Sequence, residues 1–147
     1  MTYLAIETAY DVCGVALVNA SGVEALEEQV APRRHNELLA VSVDRLLADS
    51  GRRLSDLDGI ALSVGPGSFT GLRIGMSYAK GLALGTGLPI IPVPTLPSLL
   101  AKNGFTPLFT GTRSRENKRG IVNRAFHRLV DWGNQGTWLE LVAKKSA

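Results

Sequence analysis

Two short apolar runs with β-branched content, over residues 3–7 and 13–18, open the chain with a polar break between them. That pattern predicts two strands. Asn19-Ala20-Ser21-Gly22 supplies turn chemistry, and the weakly alternating stretch 23–30 completes an antiparallel meander. Pro32 marks a change of period. Between His35 and Ser50 the apolar positions fall at Leu38, Leu39, Val43, Leu46 and Leu47, the spacing of a helix face, and Gly51 supplies the stop. Residues 57–64 form an apolar run with little alternation, as a strand covered on both faces requires. After the loop 65–71 a second helix is predicted over 70–84, ended by Gly87 and Pro89. Residues 88–94 read as a further buried strand. A third helix is expected from Thr95, with Thr95 as N-cap and Pro97 in the first turn. The order β-β-β-α-β-α-β-α implies an α/β domain with a mixed sheet and flanking helices. Further on, Ile121, Val122, Ala125, Phe126, Leu129 and Val130 keep helical spacing without specifying a fold.

Length and charge refine this picture. A chain of 147 residues fits one domain and can bury roughly 70% of its unfolded surface. No run of ~18 apolar residues suggests a membrane span. The N-terminus reads as a strand and lacks the basic start and apolar core of an export signal, so a cytoplasmic location is expected. The single cysteine, Cys13, sits in an apolar run and reads as a buried small hydrophobe, not a reactive thiol. Residues 1–100 hold 7 Lys/Arg and 10 Asp/Glu, whereas residues 101–147 hold 9 and 3. The basic excess lies in Arg113, Arg115, Lys118, Arg119, Arg124 and Arg128. Such a cluster is compatible with RNA contact, but it has no interleaved aromatic platform, and a solvated tail is the preferred reading.

Candidate chemistry centres on Gly65-Pro66-Gly67-Ser68-Phe69-Thr70-Gly71-Leu72-Arg73, between a buried strand and a helix start. Helix N-termini present unpaired N–H groups, so anion binding is physically allowed there. Neither phosphate motif fits. Gly71 is followed by Leu72 and Arg73 where a P-loop needs Lys-Ser/Thr, and the glycine spacing is one residue too long for a dinucleotide fingerprint. From spacing alone, a tight turn with Ser68 or Thr70 capping the helix is the preferred reading. In the following helix Gly71, Gly75 and Ala79 recur every four residues. Glycine in a helix interior costs about 0.5–1 kcal/mol relative to alanine, so close packing of another backbone is expected on this stripe. That backbone belongs either to the chain's own first helix or to another subunit.

Several strings occur together in order: Leu4-Ala5-Ile6-Glu7-Thr8, Arg34-His35-Asn36-Glu37-Leu38-Leu39, the Gly65–Arg73 string above continued by Ile74-Gly75, and Pro89-Ile90-Ile91-Pro92-Val93-Pro94-Thr95-Leu96. Over residues 1–103 the chain resembles the TsaB (YeaZ) family of bacterial tRNA threonylcarbamoyladenosine biosynthesis proteins. Residues 104–147 form a divergent basic segment, so the chain reads as a shortened member. The resemblance implies an actin-like ATPase lobe of the ribonuclease H-like class. It implies a non-catalytic subunit that binds and activates a TsaD-type catalytic subunit, with a TsaE-type ATPase joining, tRNA contacted indirectly and a homodimer when alone. Pairing runs through helix faces, which fall here on Glu37, Leu38, Val41, Arg45, Gly71, Ile74, Gly75, Tyr78 and Ala79. The nucleotide end of the fold corresponds to Glu7, Thr8, Gly65, Gly67, Ser68 and Thr70. Glu7 and Ala9 depart from the family's usual Asp-Thr-Ser, so no tightly bound cofactor is expected, with ATP or ADP only at the interface of the full complex.

The catalytic paralogues carry two metal-binding histidines where this chain has Thr95 and Leu99, and Thr and Leu are not transition-metal ligands. His35 and His127 are the chain's only histidines. His35, at a helix start, is expected to be a capping or surface residue. A nucleotide-binding phosphotransferase of the sugar-kinase type is the alternative, though fold alone does not license it. A metalloprotease lacks any ligand cluster.

Overall fold

The computed structural model describes residues 1–95. Three antiparallel strands come first: β1 (Thr2–Glu7), β2 (Val12–Asn19) and β3 (Gly22–Val30). The β2–β3 turn is Ala20-Ser21. The Ser21 N–H donates to Asn19 Oδ1 at 2.8 Å, and Gly22 takes φ 131°, a backbone state that favours glycine. α1 (His35–Ser50) follows, closed by Gly51 at φ 66° with its N–H turned back onto the last turn. β4 (Gly59–Ser63) pairs parallel with β1, and β5 (Ile90–Val93) pairs parallel with β4 after α2 (Phe69–Thr86). The sheet order is β3-β2-β1-β4-β5. This is the mixed sheet expected from the sequence, and it is the actin-like, ribonuclease H-like arrangement.

Boundaries shift in ways that have physical causes. β4 begins at Gly59, two residues later than predicted, because Leu54–Asp56 make a 3-10 turn whose start is closed by the Asp56 carboxylate on the Arg53 N–H at 2.9 Å. α2 begins one residue earlier than predicted, because Ser68 is the N-cap and accepts the Gly71 N–H at 3.2 Å. The expected third helix lies outside the described residues apart from Thr95. So does the helical spacing between Ile121 and Val130.

Strand parity divides the core. Leu4, Ile6, Cys13, Val15, Leu17, Ile60 and Leu62 face one side, where Leu39, Val43, Leu46 and Leu47 of α1 and Ala79 of α2 close over them. Ala5, Ala16, Val18, Ala61 and Val93 are buried on the opposite side. Both described helices therefore lie on one face. Surface ion pairs fasten α1 and the turn after it to the edge strand: Arg52, just past α1, reaches both carboxylate oxygens of Glu24 at 2.7 and 3.0 Å, and Arg45 of α1 meets Glu27 at 3.1 Å. Exposed pairs of this kind contribute roughly 0–1 kcal/mol each, so the apolar layer carries the stability.

Cys13 is fully buried in that layer, and burial, helped by the nearby Glu27 charge, pushes its thiol up to about 11. The native protein should therefore resist a thiol-labelling reagent at neutral pH and react only when unfolded. Labelling of the native chain at the rate of a free thiol would contradict this placement.

Candidate functional site

The C-terminal end of β1, the β4–α2 loop and the first turn of α2 meet at one end of the sheet. Glu7 closes β1 and lies level with Ser63, since Ile6 pairs with Leu62 in the parallel register. Only 7% of Glu7 is exposed. Its Oε1 accepts the Ala9 N–H at 2.6 Å, while Oε2 has no hydrogen-bond partner. Burial holds the carboxyl above the usual carboxylate range. The Ala9 and Thr8 N–H groups and the Ser63 hydroxyl pull the other way, and the charge of Glu28 adds slightly to the rise. Ser63 Oγ and Thr95 Oγ1 bond one another at 2.6 Å, and Thr95 Oγ1 also accepts the Gly65 N–H at 3.1 Å. Ser63 and the Thr95 hydroxyl were not selected from the sequence. The available signal was register: the residue ending β4 had to sit beside the residue ending β1.

Several of the polar groups of the loop and of the first turn of α2 are committed to the chain itself. The Ser68 N–H donates to the Ala9 carbonyl at 2.6 Å, and the Leu72 N–H to the Ser68 carbonyl at 2.9 Å. The Ser68 side chain caps Gly71, and the Thr8 hydroxyl donates to the Gly71 carbonyl at 2.9 Å. A Cβ on Gly67 would strike Ala9 at 2.6 Å. Of the six residues singled out, Thr8 and Ser68 bond the first turn of α2, Glu7 bonds Ala9, Gly65 bonds Thr95, Gly67 lies against Ala9, and Thr70 stands exposed on the first turn of α2. Glycine at Gly67 admits the end of β1.

The small-residue stripe packs inside this chain. Gly71, Gly75 and Ala79 are all buried within this chain. A Cβ on Gly71 would collide with the Thr8 carbonyl oxygen, and one on Gly75 with the Thr8 hydroxyl and, at 3.3 Å, with Leu62 Cδ1. Within the chain, what closes on Gly71 and Gly75 is the end of β1, at Thr8, and not α1. The remaining pairing residues divide in two. Glu37, Val41 and Arg45 form an exposed row at four-residue spacing on α1, while Leu38, Ile74 and Tyr78 are half-buried. Burial, then the charge of Asp44, raises the Tyr78 phenol above its ordinary value; Asp44 lies on α1, so the two helices run close together.

His35 is also corrected. It is 5% exposed and is the first residue of α1, with Nε2 at 3.3 Å from the Val12 carbonyl oxygen; Arg34 holds the N-cap position. The imidazole is thus packed against the meander, neither capping nor on the surface. Among the described residues no group of His, Cys, Asp and Glu could hold a metal ion, and no helix is long and apolar enough to cross a membrane. The basic residues between Arg113 and Arg128 lie outside the described residues.

The model of the TsaD family, described as tRNA N6-adenosine threonylcarbamoyltransferase, matches residues 26–113. The Escherichia coli K12 tRNA threonylcarbamoyladenosine biosynthesis protein TsaB is 43% identical over 119 residues, covering 78% of this chain and 51% of that protein. A Paracoccus denitrificans tRNA N6-adenosine threonylcarbamoyltransferase is 39% identical over 126 residues, covering 75% and 34%. Among solved structures, YeaZ from Pseudomonas aeruginosa superposes with a TM-score of 0.64 at 37% identity, over 68% of this chain and 46% of that one. The chain therefore spans about half, or less, of the length of these relatives.

Proposed function

The chain belongs to the TsaD family, in its TsaB (YeaZ) branch, and on that premise we propose that it is a non-catalytic subunit that binds and activates a TsaD-type enzyme forming threonylcarbamoyladenosine at position 37 of tRNA. The observation that carries this reading is the pair of helices on one face of the sheet. Their outward side offers Val41, 51% exposed, between Glu37 and Arg45. An apolar anchor flanked by opposite charges suits docking against another helix pair. The same face would make a homodimer when the chain is alone. A TsaE-type ATPase would join the assembled pair.

Support for a non-catalytic role comes from Thr95. Its hydroxyl stands where the resemblance puts a catalytic metal ligand, and it is bonded to Ser63 and Gly65. The self-bonded loop argues in the same direction: several N–H groups that a phosphate would use are already committed. ATP or ADP would bind at the interface of the full complex, not to this chain alone.

Mixing the chain with a TsaD-type enzyme should yield a stable pair in size-exclusion chromatography with light scattering, and more modified tRNA than the enzyme alone. Val41→Asp should leave the fold intact and weaken pairing at least tenfold, about 1.4 kcal/mol. A chain that stays monomeric in every mixture, or that turns over ATP unaided, would count against the reading; the second outcome would favour a phosphotransferase.

A further inference from the structure

One buried carboxyl stands behind both ends of the loop 65–68. Where the loop ends, the Ser68 N–H donates to the Ala9 carbonyl at 2.6 Å, and the Ala9 N–H in turn donates to Glu7 Oε1 at 2.6 Å. Where it begins, the Gly65 N–H donates to Thr95 Oγ1 at 3.1 Å and the Gly65 carbonyl accepts the Thr95 N–H at 2.8 Å. The Thr95 hydroxyl bonds Ser63, and the Ser63 hydroxyl acts on Glu7. Between these ties Pro66, Gly67 and Ser68 are exposed. Water thus reaches the loop from outside, while its attachments run inward to a carboxyl that is buried and keeps one oxygen without a partner. In register, Glu7 stands beside Gly14 of β2, and Gly14 beside Glu28 of β3. After burial itself, the Glu28 charge is what further favours the protonated form, while Gly14, Ser63, Thr95 and Thr8 bring no charge. Among the described residues no cation offsets an ionised Glu7.

We propose that Glu7 is a proton-operated latch on the loop 65–68: with the proton in place the loop is tied down, and with the proton gone the carboxylate turns to water and the loop lifts. A buried carboxylate without a cation is costly, and exposed backbone hydrogen bonds are the cheapest part of a fold to open. Lifting the loop hydrates Glu7 without disturbing the apolar layer under the helices. The open form frees the Gly65 and Ser68 N–H groups and loosens the turn that carries Phe69. Its population follows from linkage. Opening returns the carboxyl to its ordinary value of 4.5, so the open form gains as pH rises from 4.5 through the raised native value and levels off above it. The latch is independent of the proposed pairing role and uses none of the residues assigned to it.

The test is amide hydrogen exchange on the full chain, followed by NMR and corrected for intrinsic rates, across a pH series and at several urea concentrations below the unfolding transition. Protection of the Gly65 and Ser68 amides should fall by about threefold or more as pH rises from 4.5, at no more than about tenfold per pH unit, and then level off. Their exchange should be insensitive to urea, because a lifted loop exposes little surface. The Ile60 amide, bonded to the Pro89 carbonyl inside the sheet, should exchange only by urea-sensitive unfolding. Glu7→Gln keeps an acceptor for the Ala9 N–H but cannot ionise, and should abolish the pH dependence at Gly65 and Ser68. In the wild-type chain the Glu7 carboxyl carbon should titrate above 4.5, with its midpoint where loop protection stops falling; this measurement needs no variant. Loop protection that is constant with pH, or that responds to urea as Ile60 does, would overturn the latch. So would pH dependence that survives in Glu7→Gln, which would pass the titration to Glu28, or a carboxyl midpoint that does not match the exchange profile.

Discussion

Gly71→Ala should destabilise the chain by about 3 kcal/mol, at the upper end of what overpacking costs. The methyl group would be driven into the Thr8 carbonyl oxygen, a backbone atom at the end of a central strand. That strand is held on both sides, by β2 and by β4, so it has little freedom to withdraw. The Thr8 hydroxyl, which donates to the Gly71 carbonyl, would be displaced with it. Gly75→Ala meets the Thr8 side chain and Leu62 Cδ1 and should cost somewhat less, because side chains can shift. Gly81→Ala is the control. It lies on the same helix with nothing within 4 Å of a Cβ, so it should stabilise by about 0.5–1 kcal/mol through backbone entropy. Urea unfolding midpoints of the three variants check the order. If Gly71→Ala and Gly81→Ala unfold alike, the stripe does not pack on β1, and pairing returns as its explanation.

Glu7 should make the wild-type protein lose stability as pH rises. Its ordinary value is 4.5, and burial raises it in the fold. The native state thus holds the proton at pH values where the unfolded chain has released it. Stability is therefore intact below 4.5 and declines as pH passes up through the raised native value. Above that value the charge is buried with the Ala9 N–H as its one close partner, and the Ser63 hydroxyl and the Thr8 N–H offset only part of the cost of burial. Glu7→Gln cannot ionise, and its amide oxygen can still accept the Ala9 N–H. The difference between wild type and variant should grow as pH rises from 4.5 through the raised native value and then level off. Parallel stability curves would mean that Oε2 finds a partner in solution.

Much of the fold was legible along the chain. The meander follows from two short apolar runs and a weakly alternating one, the last joined at Asn19–Gly22 turn chemistry, and the parallel strands β4 and β5 from apolar runs without alternation. These are local signals: period, turn residues and helix stops act over a few positions. Cys13 was equally readable, because its neighbours on both sides are apolar. The family strings carried the resemblance for the same reason.

What the sequence could not decide is which surface each residue meets. It showed that Gly71, Gly75 and Ala79 share a face and need a close neighbour. Only the parallel pairing of β1 with β4 brings Thr8 under that face, although Thr8 and Gly71 stand 63 positions apart in the chain. The spacing of His35 marked a helix start but could not reveal that the first turn of α1 closes on the carbonyl of Val12. Likewise Glu7 was visible as an acid ending a strand, while its unpartnered oxygen and the hydroxyls of Ser63 and Thr95 beside it exist only once three strands are in register. Local periodicity determined the elements. Long-range pairing decided burial, and burial is what sets the end of β1 against the glycines of α2.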